Sequence, residues 1–134
     1  MNRVLIACLI AIGFGAPAQA WWNKGTLPPC DAPNVVSSIV YKFRSAERRT
    51  FHWGVDIARV MDIYERPEVI RNSSLIGRRY CHATALFTDG RREEVAYLVE
   101  SKQGFVGIGW RVESCLPNYD PWHVYGAWCR SAEP

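Results

Sequence analysis

The sequence predicts an α+β fold in which one amino-terminal helix packs on a four-stranded antiparallel sheet, held by two disulfide bonds. Three observations lead to this prediction. Apolar residues between positions 35 and 43 recur with helical spacing. Runs of β-favouring residues then alternate with polar ones and are separated by turn-forming residues. Four of the five cysteines lie beside these elements, an even number that can pair. A helix over the apolar face of such a sheet completes the layers.

Residues 1–20 have the pattern of a secretory signal peptide. Arg3 gives a basic start, Val4–Phe14 is an apolar run of about eleven residues, and Ala18-Gln19-Ala20 is a small-x-small cleavage site. A membrane-spanning helix needs about 20 apolar residues. We therefore expect cleavage after Ala20, a periplasmic or secreted protein, and a single α+β domain over residues 21–134 without a transmembrane segment.

A second signal overlaps the first. Leu5-Ile6-Ala7-Cys8 is similar to a lipobox, which would place a lipid on Cys8. Lipidation there would leave only a handful of residues for the apolar region of the signal, whereas about 7 to 15 are usual. The cleavable signal peptide is the favoured interpretation, and lipidation of Cys8 stays open.

The net charge argues against a nucleic-acid partner. The chain carries 16 Lys and Arg against 13 Asp and Glu, and loss of Arg3 with the signal peptide leaves a net charge of +2. Binding to a phosphate backbone needs several clustered cations. Arg44, Arg48 and Arg49 do fall together on the predicted helix, but a solvated helix face is the simpler explanation.

The predicted helix begins near Pro33. Asp31 can cap its free amide groups, and Pro33 suits the first turn. We expect the helix to end between Ala46 and His52, with Gly54 as the stop. The apolar stripe that would face the sheet comprises Val35, Val36, Ile39, Val40 and Phe43.

The first strand is predicted over Val55–Glu65, where β-favouring residues become frequent and Pro67 closes the segment. A surface loop over Glu68–Arg78 follows. Its Asn72-Ser73-Ser74 tripeptide fits the N-glycosylation pattern, which matters only in a eukaryotic secretory route.

A hairpin formed by Arg79–Thr88 and Arg91–Glu100 around Asp89-Gly90 is the strongest structural signal. Asp-Gly between alternating runs favours a tight primed turn, because both residues tolerate positive φ. A second turn at Ser101–Gly104 leads into the fourth strand, Phe105–Cys115. The shared apolar face would comprise Ala83, Ala85, Phe87, Val95, Tyr97, Val99, Val106, Ile108, Trp110 and Val112.

The cysteines predict a disulfide framework. Removal of Cys8 with the signal peptide leaves Cys30, Cys81, Cys115 and Cys129, and an exported protein meets an oxidising compartment. A zinc site is disfavoured, because such sites usually contain close Cys-x-x-Cys pairs, whereas these cysteines are 51, 34 and 14 residues apart.

The topology selects one pairing of these cysteines. Neighbouring strands alternate in direction, so Cys81 and Cys115 would lie at opposite ends of the sheet, about 25 to 30 Å apart. A disulfide needs α-carbons within about 7 Å. The start of the helix would lie beside Cys81. We therefore predict the disulfides Cys30–Cys81 and Cys115–Cys129.

The second disulfide would close a loop that holds the candidate binding residues, within the stretch NYDPWHVYGAWC at positions 118–129. These residues are Tyr119, Trp122, His123, Tyr125 and Trp128. One interpretation is a rigid aromatic platform for a sugar ring or a partner protein. The other is that Trp122 and Tyr125 fold inward and seal the sheet edge of a small domain.

Five short motifs resemble those of a set of small exported proteins of unknown function from alphaproteobacterial genomes. They are Arg79-Tyr80-Cys81, Thr88-Asp89-Gly90, Gln103-Gly104-Phe105, Asp120-Pro121-Trp122-His123-Val124-Tyr125 and Cys129-Arg130. The resemblance spans Cys30–Arg130 and implies a Gram-negative periplasm or cell surface, but no catalytic residue. The predicted architecture is also similar to cystatin-like folds, a likeness that carries no function.

No catalytic motif is present in the sequence, which leaves an enzyme unsupported but does not exclude one, because active sites assemble in space. His52, His82 and His123 have no short metal-binding spacing, and Gly104–Gly109 does not fit the dinucleotide-binding pattern. We therefore predict a non-enzymatic periplasmic or cell-envelope binding module without cofactor or metal, whose partner is an envelope protein or a glycan. The alternative is a small hydrolase or metal-dependent enzyme that uses Asp120 and His123.

Overall fold

One helix packs on a four-stranded antiparallel sheet in the structure, a computed structural model that describes residues 27–67, 76–101 and 108–134. The strands lie in the sheet in the order of the chain. The predicted α+β fold and both predicted disulfide bonds are confirmed. The signal peptide with Cys8, the tripeptide at Asn72 and the Gln103-Gly104-Phe105 motif lie outside the described residues.

Helix α1 covers Pro33–Ala46 and continues as a π-helical turn over Glu47–Phe51. It ends at His52, where a left-handed φ of 57° turns the chain and the amide donates to the Glu47 carbonyl at 2.9 Å. This end lies within the predicted interval. The apolar stripe faces the sheet, with Val35, Ile39 and Phe43 buried and Val36 and Val40 partly exposed.

The prediction that Asp31 caps the helix is wrong. Pro33 takes the first helical position, so the cap falls on Ala32, directly before it, and Asp31 lies one residue too early. No side chain of the cap residue accepts a hydrogen bond there. The Val35 amide instead donates to the Ala32 carbonyl at 2.9 Å and to Asn34 Oδ1 at 3.0 Å.

The strands are β1 (Ile57–Arg66), β2 (Arg78–Phe87), β3 (Arg92–Ser101) and β4 (Trp110–Cys115). The first three agree with the predicted strands to within about two residues. β1 contains register shifts between Ile57 and Arg59 and between Met61 and Tyr64. Asp62, within the second shift, has a left-handed φ of 54°. Such bulges bend an edge strand and hinder its pairing with another chain.

The β2–β3 hairpin differs from the predicted primed turn. Of its three loop residues, Thr88, Asp89 and Gly90, only the glycine has a positive φ, of 87°. The Gly90 amide donates to the Phe87 carbonyl at 3.0 Å, and the Phe87 amide donates to the Arg91 carbonyl at 2.9 Å. This is the three-residue loop with glycine in the left-handed position, so the predicted turn type is wrong.

Strand β4 is shorter than predicted and pairs only with the last residues of β3. Gly109 has a φ of 93°, a conformation that interrupts an extended strand, so the strand begins at Trp110. Ile108 is exposed instead of lying on the apolar face. Val106 lies outside the described residues.

The disulfide pairing is as predicted, but the predicted reason is wrong. Cys81 and Cys115 lie opposite adjacent residues of β3, so they are not at opposite ends of the sheet. Adjacent residues of a strand point to opposite faces, so Cys81 faces the helix and Cys115 faces the other side. Cys30 reaches Cys81 on the helix side with 5.8 Å between α-carbons, and Cys129 reaches Cys115 on the other side with 5.7 Å.

The helix side of the sheet carries the main hydrophobic core. The buried residues that the strands contribute are Ile57, Cys81, Ala83, Ala85, Phe87, Val95, Tyr97, Val99 and Val112. Tyr97 is fully buried and donates its hydroxyl to the Cys30 carbonyl at 2.9 Å. Burial raises the pKa of this phenol above its ordinary value.

The opposite face of the sheet is also covered, which the alternating pattern did not predict. Ala96, Cys115, Cys129 and Ala132 form a small buried cluster there, and Tyr125 packs against it. Residues 116–134 are called the C-terminal segment, and its end, from Tyr125 to Ala132, therefore folds back over this face.

The structure agrees with a location outside the cytoplasm. Two disulfide bonds are typical of proteins in oxidising compartments. In the parts of the chain that the structure describes, none of the helices has the length and apolar character needed to cross a membrane.

Candidate binding groove

The C-terminal segment is fixed to the sheet by covalent and polar contacts. Cys129 is bonded to Cys115, the last residue of β4. Between them, the Asp120 carboxylate accepts hydrogen bonds from the amides of Val124 at 2.9 Å and Tyr125 at 3.2 Å. Because hydrogen bonds to a charged acceptor are strong, these contacts hold the loop in one conformation.

Tyr125 anchors the segment to β4 by donating its hydroxyl to Glu113 Oε2 at 2.6 Å. Burial and this hydrogen bond raise the pKa of the Tyr125 phenol. Burial also acts to raise the pKa of the Glu113 carboxyl, but the Tyr125 hydrogen bond and the charges of Lys42 and Arg111 together hold that pKa below its ordinary value. Lys42 Nζ lies 3.3 Å from Glu113 Oε1, so Glu113 links α1, β4 and the C-terminal segment.

Tyr119 points into the core. Its ring stacks on Phe87 with 4.9 Å between centroids and meets Phe43 edge-on at 5.4 Å. The Arg91 guanidinium lies 5.9 Å from the Tyr119 ring centroid, within the range of a cation–π contact. Burial raises the pKa of the Tyr119 phenol.

Phe51, Trp53 and Trp122 form a contiguous aromatic surface beside Tyr119. Phe51 stacks on Trp53 with 4.0 Å between centroids and 7° between ring planes, and on Trp122 with 5.2 Å and 29°. Trp53 meets Tyr119 edge-on at 5.0 Å. Trp122 is nevertheless 66% exposed and Trp53 40% exposed. A single exposed apolar residue is ordinary, whereas a contiguous group marks a candidate binding surface.

A groove of about 310 Å³ separates the end of α1 from the C-terminal segment, and we call it the aromatic groove. One wall comprises Lys42, Phe43, Ala46, Thr50, Phe51 and Trp53. The other comprises Ser114, Cys115, Leu116, Tyr119, Asp120, Trp122, Val124 and Tyr125. Apolar walls with a few polar groups are typical of ligand sites.

The five predicted site residues divide between the groove and the surface outside it. Tyr119, Trp122 and Tyr125 line the groove, whereas His123 and Trp128 do not. Trp128 is 80% exposed and has a left-handed φ of 58°. His123 is also exposed and left-handed, with a φ of 51°. The aromatic residues of the loop therefore do not form one array.

The interpretation that Trp122 and Tyr125 both seal the sheet edge applies to only one of them. Tyr125 is half-buried against the cluster around Cys115. Trp122 stays exposed and contacts Phe51 instead. The inward position is taken by Tyr119, which packs against the main core.

The sequence pattern did not single out Phe51, Trp53 and Lys42 as site residues. They are far from Trp122 in the chain, and only the packing of α1 against the sheet brings them together. The available signal was Phe51-His52-Trp53 directly after the predicted helix, because these aromatic residues fall outside the apolar stripe.

The three histidines are not brought together. His52 and His123 are exposed, while His82 is buried on β2 within hydrogen-bonding distance of Glu94 and Glu133. Across the described ranges, no three His, Cys, Asp or Glu side chains are grouped so that they could hold a metal ion.

Comparison of the chain with protein-family models, with curated proteins and with solved structures found no match. The resemblance to small exported alphaproteobacterial proteins stays a prediction.

Proposed function

We propose that the protein is a non-enzymatic binding module of the cell envelope, periplasmic or secreted, that binds its partner through the aromatic groove. The observation that carries this proposal is the exposure of Trp122 and Trp53 while both stack on Phe51. A partner that covered these rings would remove a large apolar surface from water. Tryptophan is also among the residues that contribute most to binding free energy in known interfaces.

The rigidity of the groove supports a binding role. The Cys115–Cys129 disulfide, the Asp120 contacts to loop amides and the Tyr125–Glu113 hydrogen bond all hold the wall that carries Trp122. Ordering a loop on binding costs free energy. A wall that is ordered in advance avoids that cost.

The proposed location is supported by the export pattern and by the disulfides. Residues 1–20 have the three regions of a signal peptide. Both cysteine pairs are bonded, which suits an oxidising compartment. In the envelope, a small binding module has access to proteins and glycans as partners.

The hydrolase or metal-dependent alternative has less support. The Asp120 carboxylate accepts hydrogen bonds from the amides of Val124 and Tyr125, so it is engaged in holding the loop. His123 does not line the groove. The part of the chain that the structure describes also contains no grouping of three potential metal ligands.

A photo-crosslinking residue in the groove tests the proposal in cells that produce the protein. Benzoylphenylalanine replaces Trp122 or Trp53 in two variants, and replaces Trp128 in a matched control, because Trp128 is exposed on the same segment but outside the groove. We expect a defined cross-linked product from the two groove positions that is absent from the control. Mass spectrometry of that product would identify the partner.

A second variant separates binding from folding. Trp122→Ala should change the free energy of unfolding by less than about 0.5 kcal/mol, because the ring is largely exposed. The same change should abolish the product from position 53. The proposal would be contradicted if neither groove position gave a product, or if the position 128 control gave the same one.

A further inference from the structure

We infer that the aromatic groove binds an acidic saccharide, a glycan whose sugar rings carry carboxylate groups. This inference rests on the proposed function, because it names the partner class of the same groove. Three features of the groove support it: the exposed aromatic rings, the polar groups beside them and the unpaired positive charge at the end of α1.

The aromatic rings suit the apolar face of a pyranose. C–H groups on one face of a sugar ring carry a small positive charge, and the face of an aromatic ring is electron-rich. Trp122 and Trp53 keep much of their surface exposed, while stacking on Phe51 already fixes their orientation. A sugar ring can therefore contact either tryptophan without ordering a mobile side chain.

Polar groups on both walls suit sugar hydroxyls. The hydroxyl-bearing residues Thr50 and Ser114 line opposite sides of the groove. Lys42 Nζ donates to the Val112 carbonyl and lies 3.3 Å from Glu113 Oε1. Since an ammonium group has three N–H donors, one remains for a ligand oxygen.

The charge around the groove favours an anionic ligand. Arg48 and Arg49 are exposed at the end of α1, directly before the groove residue Thr50. Neither forms an ion pair with another residue of the described ranges. Three carboxylates near the groove have partners: Glu113 pairs with Lys42, Asp120 accepts from two loop amides, and the buried Glu47 accepts from the Gly54 amide at 2.5 Å. Two cations without an ion pair in these ranges, next in the chain to a groove residue, complement a carboxylate on the ligand.

Both outer strands of the sheet are protected against the addition of a peptide strand. On β4, Lys42 occupies the carbonyl of Val112. On β1, two register shifts and the left-handed Asp62 interrupt the edge. These features favour a ligand that uses ring faces and charge over one that uses backbone hydrogen bonds.

Titration of the secreted, disulfide-bonded protein with defined oligosaccharides tests this inference. The probes are tetrasaccharides of galacturonic acid and of mannuronic acid, with cellotetraose as the neutral control. Binding is measured by calorimetry and by tryptophan fluorescence. We expect at least one acidic probe to bind at least about tenfold more tightly than cellotetraose. Its affinity should fall as NaCl rises from about 50 to about 500 mM, because the ion pairs are exposed.

Matched variants separate the contribution of the rings from that of the charge. Trp122→Ala should weaken binding of the acidic probe by about tenfold or more, whereas Trp128→Ala should not. Arg48→Gln with Arg49→Gln should weaken it by about threefold to tenfold. Arg59→Gln with Arg92→Gln removes the same charge outside the groove and should leave the affinity unchanged.

Each contrary outcome has a distinct meaning. Equal binding of acidic and neutral probes, or equal effects of the two arginine pairs, would overturn the acidic class. Failure of all probes to bind, together with a protein cross-linked at position 122, would overturn the inference and leave the proposed function standing. Failure of all probes without any groove cross-link would overturn both.

Discussion

The two faces of the sheet are covered by different kinds of side chain. One face contacts α1, and the other contacts the end of the C-terminal segment. On the helix side, large apolar residues such as Ile39, Phe43 and Phe87 are buried together. On the other side, the buried cluster consists of two alanines, Ala96 and Ala132, and one disulfide. Because the free energy of burial grows with apolar area, the helix side contributes more to stability.

Polar contacts add to the small buried cluster on the second face. His82 is only 3% exposed, with Nδ1 2.8 Å from Glu94 Oε1 and Nε2 3.0 Å from Glu133 Oε1. Arg66 also pairs with Glu133. The end of the C-terminal segment is therefore held by a polar contact with His82 and by the Arg66–Glu133 ion pair.

The stability of the domain and the positioning of the groove therefore have separate sources. The helix side holds α1 on the sheet, while the Cys115–Cys129 disulfide and the hydrogen bonds of Asp120 and Tyr125 place Trp122 beside Phe51. We therefore expect that the C-terminal segment can loosen while the rest of the domain stays folded.

Loss of the Cys30–Cys81 disulfide should have the largest effect. It joins residues 51 positions apart, for which the chain-entropy model gives about 4 kcal/mol. Cys30→Ala with Cys81→Ala should lower the free energy of unfolding by about that amount, measured by urea denaturation and circular dichroism. A smaller loss of unfolding free energy than that caused by removing Cys115–Cys129 would contradict this ranking.

Loss of the Cys115–Cys129 disulfide should have a smaller and more local effect. For a separation of 14 residues the same model gives at most roughly 3 kcal/mol. In Cys115→Ala with Cys129→Ala, tryptophan fluorescence should change at lower urea than circular dichroism does, because the segment detaches first. Coincident transitions would indicate that the two faces unfold together.

The contacts of His82 with Glu94 and Glu133 should have the third largest effect on the free energy of unfolding. His82→Gln should lower the free energy of unfolding by about 1 to 2 kcal/mol, because Glu133 loses its contact with the buried imidazole. Glu94→Gln is the matched control on the other nitrogen, and its effect should stay below about 0.5 kcal/mol because Glu94 is well exposed. Thermal denaturation of both variants checks the order, and the reverse order would contradict it.

Acid should remove the smallest contribution, that of Glu113. The pKa of Glu113 is lowered from 4.5 in the folded chain, so its stabilising effect is complete above about pH 4.5 and is lost as the pH falls through the folded value. Between about pH 4.5 and 3, the free energy of unfolding should decline less steeply in Glu113→Gln than in the wild type, by less than about 1 kcal/mol. Parallel curves would show that Glu113 does not contribute.

Local sequence signals predicted the elements of the fold better than their register. The stripe from Val35 to Phe43 and the alternating runs around Gly90 are dictated by periodicity, so α1 and the central hairpin were predictable. The start of β4 depends on the left-handed backbone at Gly109, which alternation does not reveal. The predicted disulfide pairing was right, although the assumed positions of Cys81 and Cys115 in the sheet were wrong.

The candidate site was predictable only on one wall. Tyr119, Trp122 and Tyr125 lie within one dense stretch, so composition pointed to them. Phe51 and Trp53 join them through tertiary packing between distant parts of the chain, for which a single sequence carries no pattern.

Hydrogen–deuterium exchange at the amides of Val124 and Tyr125 tests most directly whether the second disulfide positions the groove without holding the core. The exchange rates are measured by nuclear magnetic resonance in the wild type and in the double variant Cys115→Ala with Cys129→Ala. The two amides, which donate to Asp120, should exchange at least about tenfold faster in the variant, while the central strands β2 and β3 keep their protection. Unchanged exchange at Val124 and Tyr125, or an equal loss of protection throughout the sheet, would contradict the account.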